Sequence, residues 1–144
     1  VEVAAGVYTI TASAGANGSI SPAGITTASC SGDNTYTITP DACYHIADVL
    51  VDGVSVGAVS TYTFSNVTAN RTINVVFAPD TYTITSASTT GGTISPDGTN
   101  TVNCGGSITF TIQPNPGLIE SCYELQDVTV DGTSVGAVNT YTFS

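Results

Sequence analysis

The sequence predicts an all-β protein made of two tandem small β modules, sandwich-like or grasp-like, with short and mostly antiparallel strands. Apolar and polar residues alternate with a period of two, as in Tyr36-Thr37-Ile38, which is the spacing of a strand with one buried face. Gly, Asn, Asp and Pro interrupt this alternation about every five to eight residues, and such interruptions mark turns. An internal repeat sets the number of modules.

In the first module the strands follow in order along the chain. Tyr8 and Ile10 lie on one side of the first strand, and turn residues at 16–18 and 21–24 bound the next. Tyr36 and Ile38 mark a further strand with the same alternation. Asp52-Gly53 between Leu50-Val51 and Val54 predicts a two-residue hairpin, because both residues tolerate positive φ.

The second half of the module ends in a closing strand. Tyr62 and Phe64 share one side of a strand, and the chain then passes through 66–72 into the segment 73–78. Ile73, Val75 and Phe77 alternate with smaller or polar residues, so we expect these three side chains to face the core.

The repeat itself is defined by two offsets. Residues 7–11 match residues 81–85 at an offset of 74, and after five extra residues within 115–121 the offset becomes 79. Further pairs at these offsets are Gly18 with Gly92, Tyr36 with Phe110, Asp52 with Asp131, Tyr62 with Tyr141, and Phe64 with Phe143. Matching at a fixed period indicates tandem copies of one unit. We predict an N-terminal strand at 1–6, a first repeat at 7–80, and a second repeat at 81–144 that lacks the closing strand.

Composition excludes several classes of partner. The net charge is −10 and Arg71 is the only Lys or Arg, so no surface can neutralise a run of phosphates. We therefore expect no nucleic-acid partner. No apolar run has the length of a membrane span, so we also expect no membrane insertion.

Several segments together resemble a known family. The strings Asn-Gly-Ser-Ile-Ser-Pro at 17–22, Thr-Tyr-Thr-Ile-Thr-Pro at 35–40, and Ile-Asn-Val-Val-Phe-Ala at 73–78 resemble the divergent internalin-B-type B-repeat of bacterial surface proteins. The resemblance implies small β modules in extracellular arrays, with a spacer, adhesin or appendage role and no chemistry. The cysteines depart from the pattern, because such repeats usually carry small or polar residues there.

The four cysteines lack the spacing of zinc, thioredoxin-type or haem motifs. An even, widely spaced set predicts two disulfides and thus an extracellular or periplasmic location. Four cysteines allow three pairings. Symmetry between the copies favours Cys30 with Cys43 and Cys104 with Cys122, which gives one disulfide in each module.

We expect no enzymatic activity and no cofactor. The only His, His45, is the sole candidate for a catalytic imidazole, yet the second repeat has Glu124 at this position, which favours a solvated strand face. The Asp residues lie mostly in predicted turns, where they cap the backbone. We predict no dedicated metal site, although a calcium site among these turns stays open.

Glycans are another candidate partner. Asn66-Val67-Thr68 and Asn70-Arg71-Thr72 are acceptor triplets for N-glycosylation, as is Asn17-Gly18-Ser19.

The two ends of the sequence are complementary. The 74-residue offset places Val1 on Val75 and Val3 on Phe77, so residues 1–4 carry the tail of a closing strand. The second repeat stops at Tyr141, Phe143 and Ser144, before such a strand. We predict that Val1 and Val3 donate a strand to the region of Tyr141 and Phe143 in another copy, and that this head-to-tail contact builds a filament.

Two alternatives remain open at this stage. The chain can be a spacer or stalk segment of a longer surface protein, in which an adjoining segment supplies the strand. It can also be a carbohydrate-binding adhesin module.

Overall fold

The computed structural model describes residues 1, 6–115 and 124–144. All regular secondary structure in these ranges is β, which confirms the predicted fold class. The chain divides into two compact units, Val1–Asp80 and Thr81–Ser144, which we call the first and second repeat. The predicted donor residue Val3 and the predicted disulfide residue Cys122 lie outside the described residues.

The first repeat forms two sheets. Its strands are β1 (Val7–Ala14), β2 (Gly18–Ser21), β3 (Gly24–Ser29), β4 (Asn34–Pro40), β5 (Tyr44–Val51), β6 (Val54–Gly57), β7 (Thr61–Phe64) and β8 (Arg71–Pro79). One sheet has the order β3-β1-β8-β5-β6 and the other has the order β2-β4-β7. Alternating residues of both sheets meet in one core, so the module is sandwich-like.

The closing strand β8 lies in the middle of the larger sheet. It pairs parallel with β1, with Ile10 opposite Arg71 and Ala14 opposite Val75. On its other edge it pairs antiparallel with β5, with Tyr44 opposite Pro79. The two halves of the sheet are therefore joined only through β8.

The core of the first repeat confirms the predicted alternation. Five residues are completely buried, with 0% of their surface exposed: Ile10, Tyr36, Val49, Ile73 and Val75. The other buried members of this core are Ala12, Ile20, Ala28, Ile38, Val51, Phe64 and Val67. Phe77 packs against this cluster, so all three predicted inward residues of the closing strand do face the core.

The second repeat forms smaller sheets. Its strands are β9 (Thr81–Ser86), β10 (Gly92–Ser95), β11 (Gly98–Asn103), β12 (Ile108–Pro114), β13 (Val128–Val130), β14 (Thr133–Gly136) and β15 (Thr140–Phe143). The order β10-β12-β15 reproduces the β2-β4-β7 sheet. In the described residues β9 pairs only with β11, and β13 pairs only with β14.

The predicted Asp-Gly hairpins are confirmed in both repeats. Asp52 and Gly53 have φ values of 50° and 80°, and Asp131 and Gly132 have 50° and 78°. Positive φ at both central residues is the signature of a type I′ turn, which matches the twist of the flanking strands. The hairpin is thus fixed by local sequence in either repeat.

Candidate functional site

The second repeat contains an open cleft of about 760 Å³. β9 forms one wall and the segment from Glu124 through β13 forms the other, while β10, β12 and β15 supply the remaining lining. All lining residues belong to the second repeat.

The cleft lies at the position that β8 occupies in the first repeat. In the first repeat β8 separates β1 from β5 and pairs with both. β9 and β13 are the counterparts of β1 and β5 by the repeat offsets, and no described strand lies between them. Each therefore keeps an edge whose N–H and C=O groups have no strand partner on the cleft side, which is the usual template for strand addition.

The side chains of the cleft are apolar and partly exposed. Ile84, Val128 and Val130 correspond to Ile10, Val49 and Val51, which are buried in the first repeat, yet all three are only half-buried. Tyr82, the counterpart of the half-buried Tyr8, is 58% exposed. In the first repeat the side chains of β8 cover these positions, and no described strand covers them in the second.

The floor of the cleft is preformed. Phe110 and Ile112 of β12 are 2% and 7% exposed. Tyr141 and Phe143, which we predicted as the acceptor region, both line the cleft. Phe143 makes edge-to-face contacts with Phe110 at 5.9 Å and with Tyr141 at 4.9 Å between ring centroids.

The same aromatic arrangement exists in the first repeat. Phe64 lies 5.8 Å from Tyr36 and 4.9 Å from Tyr62, again edge to face. There, the guanidinium of Arg71 in β8 lies 5.7 Å above the Phe64 ring. The aromatic floor thus holds its geometry with or without the closing strand.

Two glycines show where a closing strand would fit. A Cβ on Gly18 would lie 2.3 Å from the ring of Phe77 in β8, so this glycine makes room for that ring. Among the described residues, the only neighbour of a Cβ added at its counterpart Gly92 within 4 Å is the carbonyl oxygen of Gln113, at 3.5 Å. No described side chain therefore takes the place of Phe77 beside Gly92.

One charged group at the cleft also lacks the partner that its counterpart has. Asp52 accepts a hydrogen bond from the Thr72 backbone N–H at 2.8 Å and forms an ion pair with Arg71, whose Nε lies 2.9 Å from its Oδ2, and both residues belong to β8. Its counterpart Asp131 lines the cleft. Arg71 is the only Lys or Arg in the sequence, so this chain holds no second arginine for Asp131.

Sequence reasoning missed a carboxylate that shapes both hairpins. Asp48 accepts a hydrogen bond from the Ser55 hydroxyl at 2.7 Å, and Asp127 accepts one from the Ser134 hydroxyl, also at 2.7 Å. Both Asp residues are matched at the 79-residue offset, which is the signal that would have revealed them. These bonds hold the β13–β14 hairpin in the shape of β5–β6 without the closing strand.

The prediction of a Cys30–Cys43 bond is wrong. Cys30 is a free, exposed thiol, whereas Cys43 and Cys104 are disulfide-bonded. Cys30 follows Ser29, which pairs with Val7, and Cys43 precedes Tyr44, which pairs with Pro79.

The physical reason is the length of the sheet. Seven residues separate Val7 from Ala14, which lies opposite Val75, and four more lead from Val75 to Pro79. At about 3.3 Å per residue the two cysteines are on the order of 35 Å apart, whereas a disulfide needs Cα atoms within about 7 Å. One disulfide inside each module is therefore not the arrangement of this protein. The other predicted pair, Cys104 with Cys122, includes a residue outside the described ranges.

The only histidine of the sequence makes one polar side-chain contact. The His45 ring nitrogen Nδ1 lies 2.8 Å from Asp80 Oδ1, and the His45 side chain is 56% exposed. No group of three His, Cys, Asp or Glu residues in residues 1, 6–115 and 124–144 is placed to hold a metal ion. In the same ranges no helix has the length and apolar character needed to cross a bilayer.

The predicted glycosylation residues Asn66 and Asn70 are exposed. Asn70 also uses its side-chain oxygen to accept the Thr9 backbone N–H at 3.0 Å, which ties the 66–72 segment to β1. Modification of either residue stays a prediction.

Comparison with known proteins identifies the repeat. The profile of the divergent InlB B-repeat domain matches residues 8–81 and residues 82–144. No curated protein and no solved structure shows a significant match. The two matches cover nearly the whole chain and coincide with the two structural units. The chain therefore belongs to the divergent InlB B-repeat family of bacterial surface-associated repeat domains.

Proposed function

We propose that this protein is an extracellular, non-enzymatic structural subunit whose copies join head to tail, each completing the second repeat of its neighbour with a β-strand. The open cleft at the position of β8 carries this proposal. Insertion of a strand there would cover the half-buried walls at Ile84, Val128 and Val130. Burial of apolar area and main-chain hydrogen bonds are the two sources of affinity in strand addition.

The backbone of β9 is suited to receive the strand. In the first repeat the Thr9 N–H donates to Asn70 Oδ1 at 3.0 Å and the Gly15 N–H donates to the Val75 carbonyl at 2.9 Å, so the odd-numbered amides of β1 point towards β8. By the repeat offset, the amides of Thr83 and Thr85 are the corresponding groups on β9. They supply hydrogen-bond donors along one side of the cleft.

Residues 1–4 have the sequence of a donor in this register. Val1 corresponds to Val75, which is fully buried, and Val3 corresponds to Phe77, which packs against the core. The charged residue Glu2 corresponds to Val76, which is 43% exposed on the outer face of β8. Glu2 is the one polar residue of this segment that replaces an apolar residue of the closing strand, and it does so at a position that faces solvent.

Connectivity favours a linear assembly. β8 ends at Pro79 and β9 begins at Thr81, so a closing strand leads directly into the first strand of the next repeat. Residues 1–4 precede β1, which begins at Val7, in the same way. Strand exchange between copies repeats this connection, and a heterologous contact of this kind extends into a filament unless its rotation closes a ring.

Three variants test the proposal. Deletion of residues 1–5 removes the donor, and Thr85→Pro removes one amide from the cleft edge of β9, where an edge strand tolerates proline. Thr85→Val is the matched control, because it keeps the amide. We expect linear polymers in electron microscopy and sedimentation velocity for the unmodified chain and for Thr85→Val, and monomers for the other two.

Mixing the two defective variants sharpens the test. The deletion variant has an acceptor without a donor, and Thr85→Pro has a donor without an acceptor. We expect an equimolar mixture to yield a discrete one-to-one complex and no longer species. Polymers of unchanged length in the deletion variant would contradict the proposal.

A spacer role in a longer array is the second candidate, and one observation favours it. Residues 1–4 match only residues 75–78 of β8. Asp131 at the cleft corresponds to Asp52, which binds Arg71 and Thr72 in the first half of β8. Residues 1–4 do not match that half, whereas the complete closing strand of a further repeat would. To distinguish the filament function from the spacer function, the binding of a synthetic peptide of residues 71–79 to the cleft is compared with the binding of a peptide of residues 1–7. Cleft binding by the first peptide alone, followed through Ile84 and Val130 methyl signals, would support the array.

A further inference from the structure

In the first repeat one aspartate holds the first two residues of the closing strand. Asp52 Oδ1 accepts the Thr72 backbone N–H at 2.8 Å, and the Asp52 backbone N–H donates to the Thr72 carbonyl at 3.0 Å. The other carboxylate oxygen, Oδ2, lies 2.9 Å from Arg71 Nε. Asp52 therefore binds the backbone of one strand residue and the side chain of the residue before it.

An aromatic ring completes the contact with the arginine. The guanidinium carbon of Arg71 lies 5.7 Å from the centroid of the Phe64 ring, which is within the range of a cation–π interaction. A guanidinium is planar, so it can lie over a ring while its N–H groups face a carboxylate. The first position of the closing strand is thus recognised by both charge and shape.

The second repeat has the same two groups at its open cleft. Asp131 and Phe143 correspond to Asp52 and Phe64 at the 79-residue offset, and both line the cleft. Asp131 has a φ of 50°, which is also the value at Asp52, so both hairpins have the same backbone conformation at the aspartate. No ion pair of Asp131 is found within the described residues.

The ring of Phe143 is held as that of Phe64 is held. Its centroid lies 4.9 Å from that of Tyr141, with an interplanar angle of 71°, and the equivalent pair in the first repeat has 4.9 Å and 73°. Phe143 is half-buried, whereas Phe64 is buried. The second repeat therefore presents a partly uncovered ring where the first has a ring beneath a guanidinium.

The charge of the cleft favours a cation. Glu124 and Asp127 also line it, and none of its described lining residues is Lys, Arg or His. The one arginine of the sequence is engaged in the first repeat. A strand that brings its own cation to the Asp131 end would pair with a carboxylate, whereas a strand that brings a carboxylate there would be repelled.

We propose that Asp131 and Phe143 form a guanidinium subsite, by which the cleft preferentially binds a closing strand of another polypeptide that has arginine at the position of Arg71. The inference rests on the proposed strand addition at the cleft. It goes beyond that function because residues 1–4 match only positions 75–78 and do not extend to this subsite.

The occupant is defined by its chemistry. It is an extended segment that begins with arginine and has apolar residues two, four and six positions later, the pattern of Ile73, Val75 and Phe77 after Arg71. A slip by one residue would turn those apolar side chains away from the core and move the arginine away from Asp131. The subsite therefore favours one register as well as one kind of strand.

The test measures binding of two synthetic peptides to the full 144-residue chain by isothermal titration calorimetry. One peptide has the sequence of residues 71–79, and the other carries Arg71→Gln, which removes the charge and keeps a polar side chain. Both are acetylated and amidated. We expect the arginine peptide to bind about five- to tenfold more tightly, because it adds a partly exposed ion pair and a cation–π contact. A competing donor strand would weaken both peptides equally and leave this ratio unchanged.

A variant of the chain assigns the preference to Asp131. Asp131→Asn removes the charge and keeps the hairpin, because Asn-Gly is a favoured type I′ turn. We expect the preference for the arginine peptide to fall about threefold. Asp97→Asn is the matched control, since Asp97 belongs to the same repeat but does not line the cleft, and the variant changes the net charge equally. We expect it to leave the preference unchanged.

The contrary outcomes are distinguishable. Equal affinity of the two peptides, weakened to the same extent by Thr85→Pro, would overturn the subsite and leave strand addition standing. An arginine preference that Asp131→Asn and Asp97→Asn affect alike would indicate a general attraction of an acidic chain for cations, and would also overturn the subsite. No binding of either peptide would overturn strand addition and the subsite together. Arginine-dependent binding by a chain that forms no polymers would overturn head-to-tail assembly and support the subsite.

Discussion

The two repeats share one alternating sequence pattern and differ in how their described strands pair. In the first, β8 joins β1 and β5 into a five-stranded sheet, and Ile10 and Val49 are fully buried. In the second, β9 and β13 each belong to a two-stranded sheet, and the counterparts Ile84 and Val128 are half-buried. The difference shows which parts of the module are formed locally and which depend on the last strand.

The parts formed locally are the hairpins and the smaller sheet. β10-β12-β15 keeps the register of β2-β4-β7, with Thr109 and Thr142 hydroxyls 2.8 Å apart as Thr35 and Thr63 are at 2.9 Å. The larger sheet of the first repeat has no counterpart among the described strands of the second, where none joins β9 to β13. Completion of the core is therefore a property of one strand.

The largest expected difference between the repeats concerns the two central isoleucines. Ile10→Ala should lower the free energy of unfolding of the first repeat by about 2–5 kcal/mol, because it leaves a cavity in a closed core. Ile84→Ala should cost less than half as much, since this side chain borders an open cleft. Hydrogen exchange resolved by repeat measures both values, and equal costs would mean that the cleft is closed in solution.

A smaller difference is expected at the paired glycines. Gly18→Ala forces a Cβ against the Phe77 ring, so we expect a loss of about 1–3 kcal/mol from overpacking. Gly92→Ala meets only a carbonyl oxygen at 3.5 Å, so we expect a change within about 0.5 kcal/mol. A large cost at Gly92 in the monomer would indicate that the space is already occupied.

The smallest effect tests a sequence difference within the cores. The Tyr36 hydroxyl lies 2.5 Å from the Thr26 hydroxyl, whereas the second repeat has Phe110 and Asn100 at these positions, and Asn100 donates to the Gly98 carbonyl instead. Tyr36→Phe should cost about 1 kcal/mol, the net value of one hydrogen bond. Thermal unfolding of this variant, of Thr26→Val and of the double variant gives the coupling energy. A coupling near zero would show that the hydroxyl contact adds no stability.

Local patterns predicted most of the elements. The alternation around Tyr36 and Ile38 and the Asp52-Gly53 turn need only neighbouring residues, and both are confirmed. The parallel pairing of β1 with β8 joins residues about sixty positions apart, such as Thr9 and Asn70, and no local pattern encodes it. The cleft followed from the repeat alignment, but its walls at β9 and β13 became visible only with the sheet order.

The Cys30–Cys43 prediction failed because the two cysteines lie at opposite ends of the sheet. Cys30 and Cys43 flank β4, a strand of seven residues, and an extended strand of this length holds its ends about 23 Å apart. The symmetry between the copies led to the wrong partner for Cys30. The register of β3 and β5 in the sheet was needed to see that these cysteines lie at opposite ends.

The parallel pairing of β1 and β8 has a mechanical consequence. The chain enters the first repeat at Val7 and leaves it at Pro79, at opposite ends of two adjacent strands that run in the same direction. Tension between these two points slides β1 lengthwise against β8. The bonds of this ladder, of which Gly15 N–H to the Val75 carbonyl is one, are then loaded together and do not open one after another. A repeat closed in this way resists stretching between Val7 and Pro79.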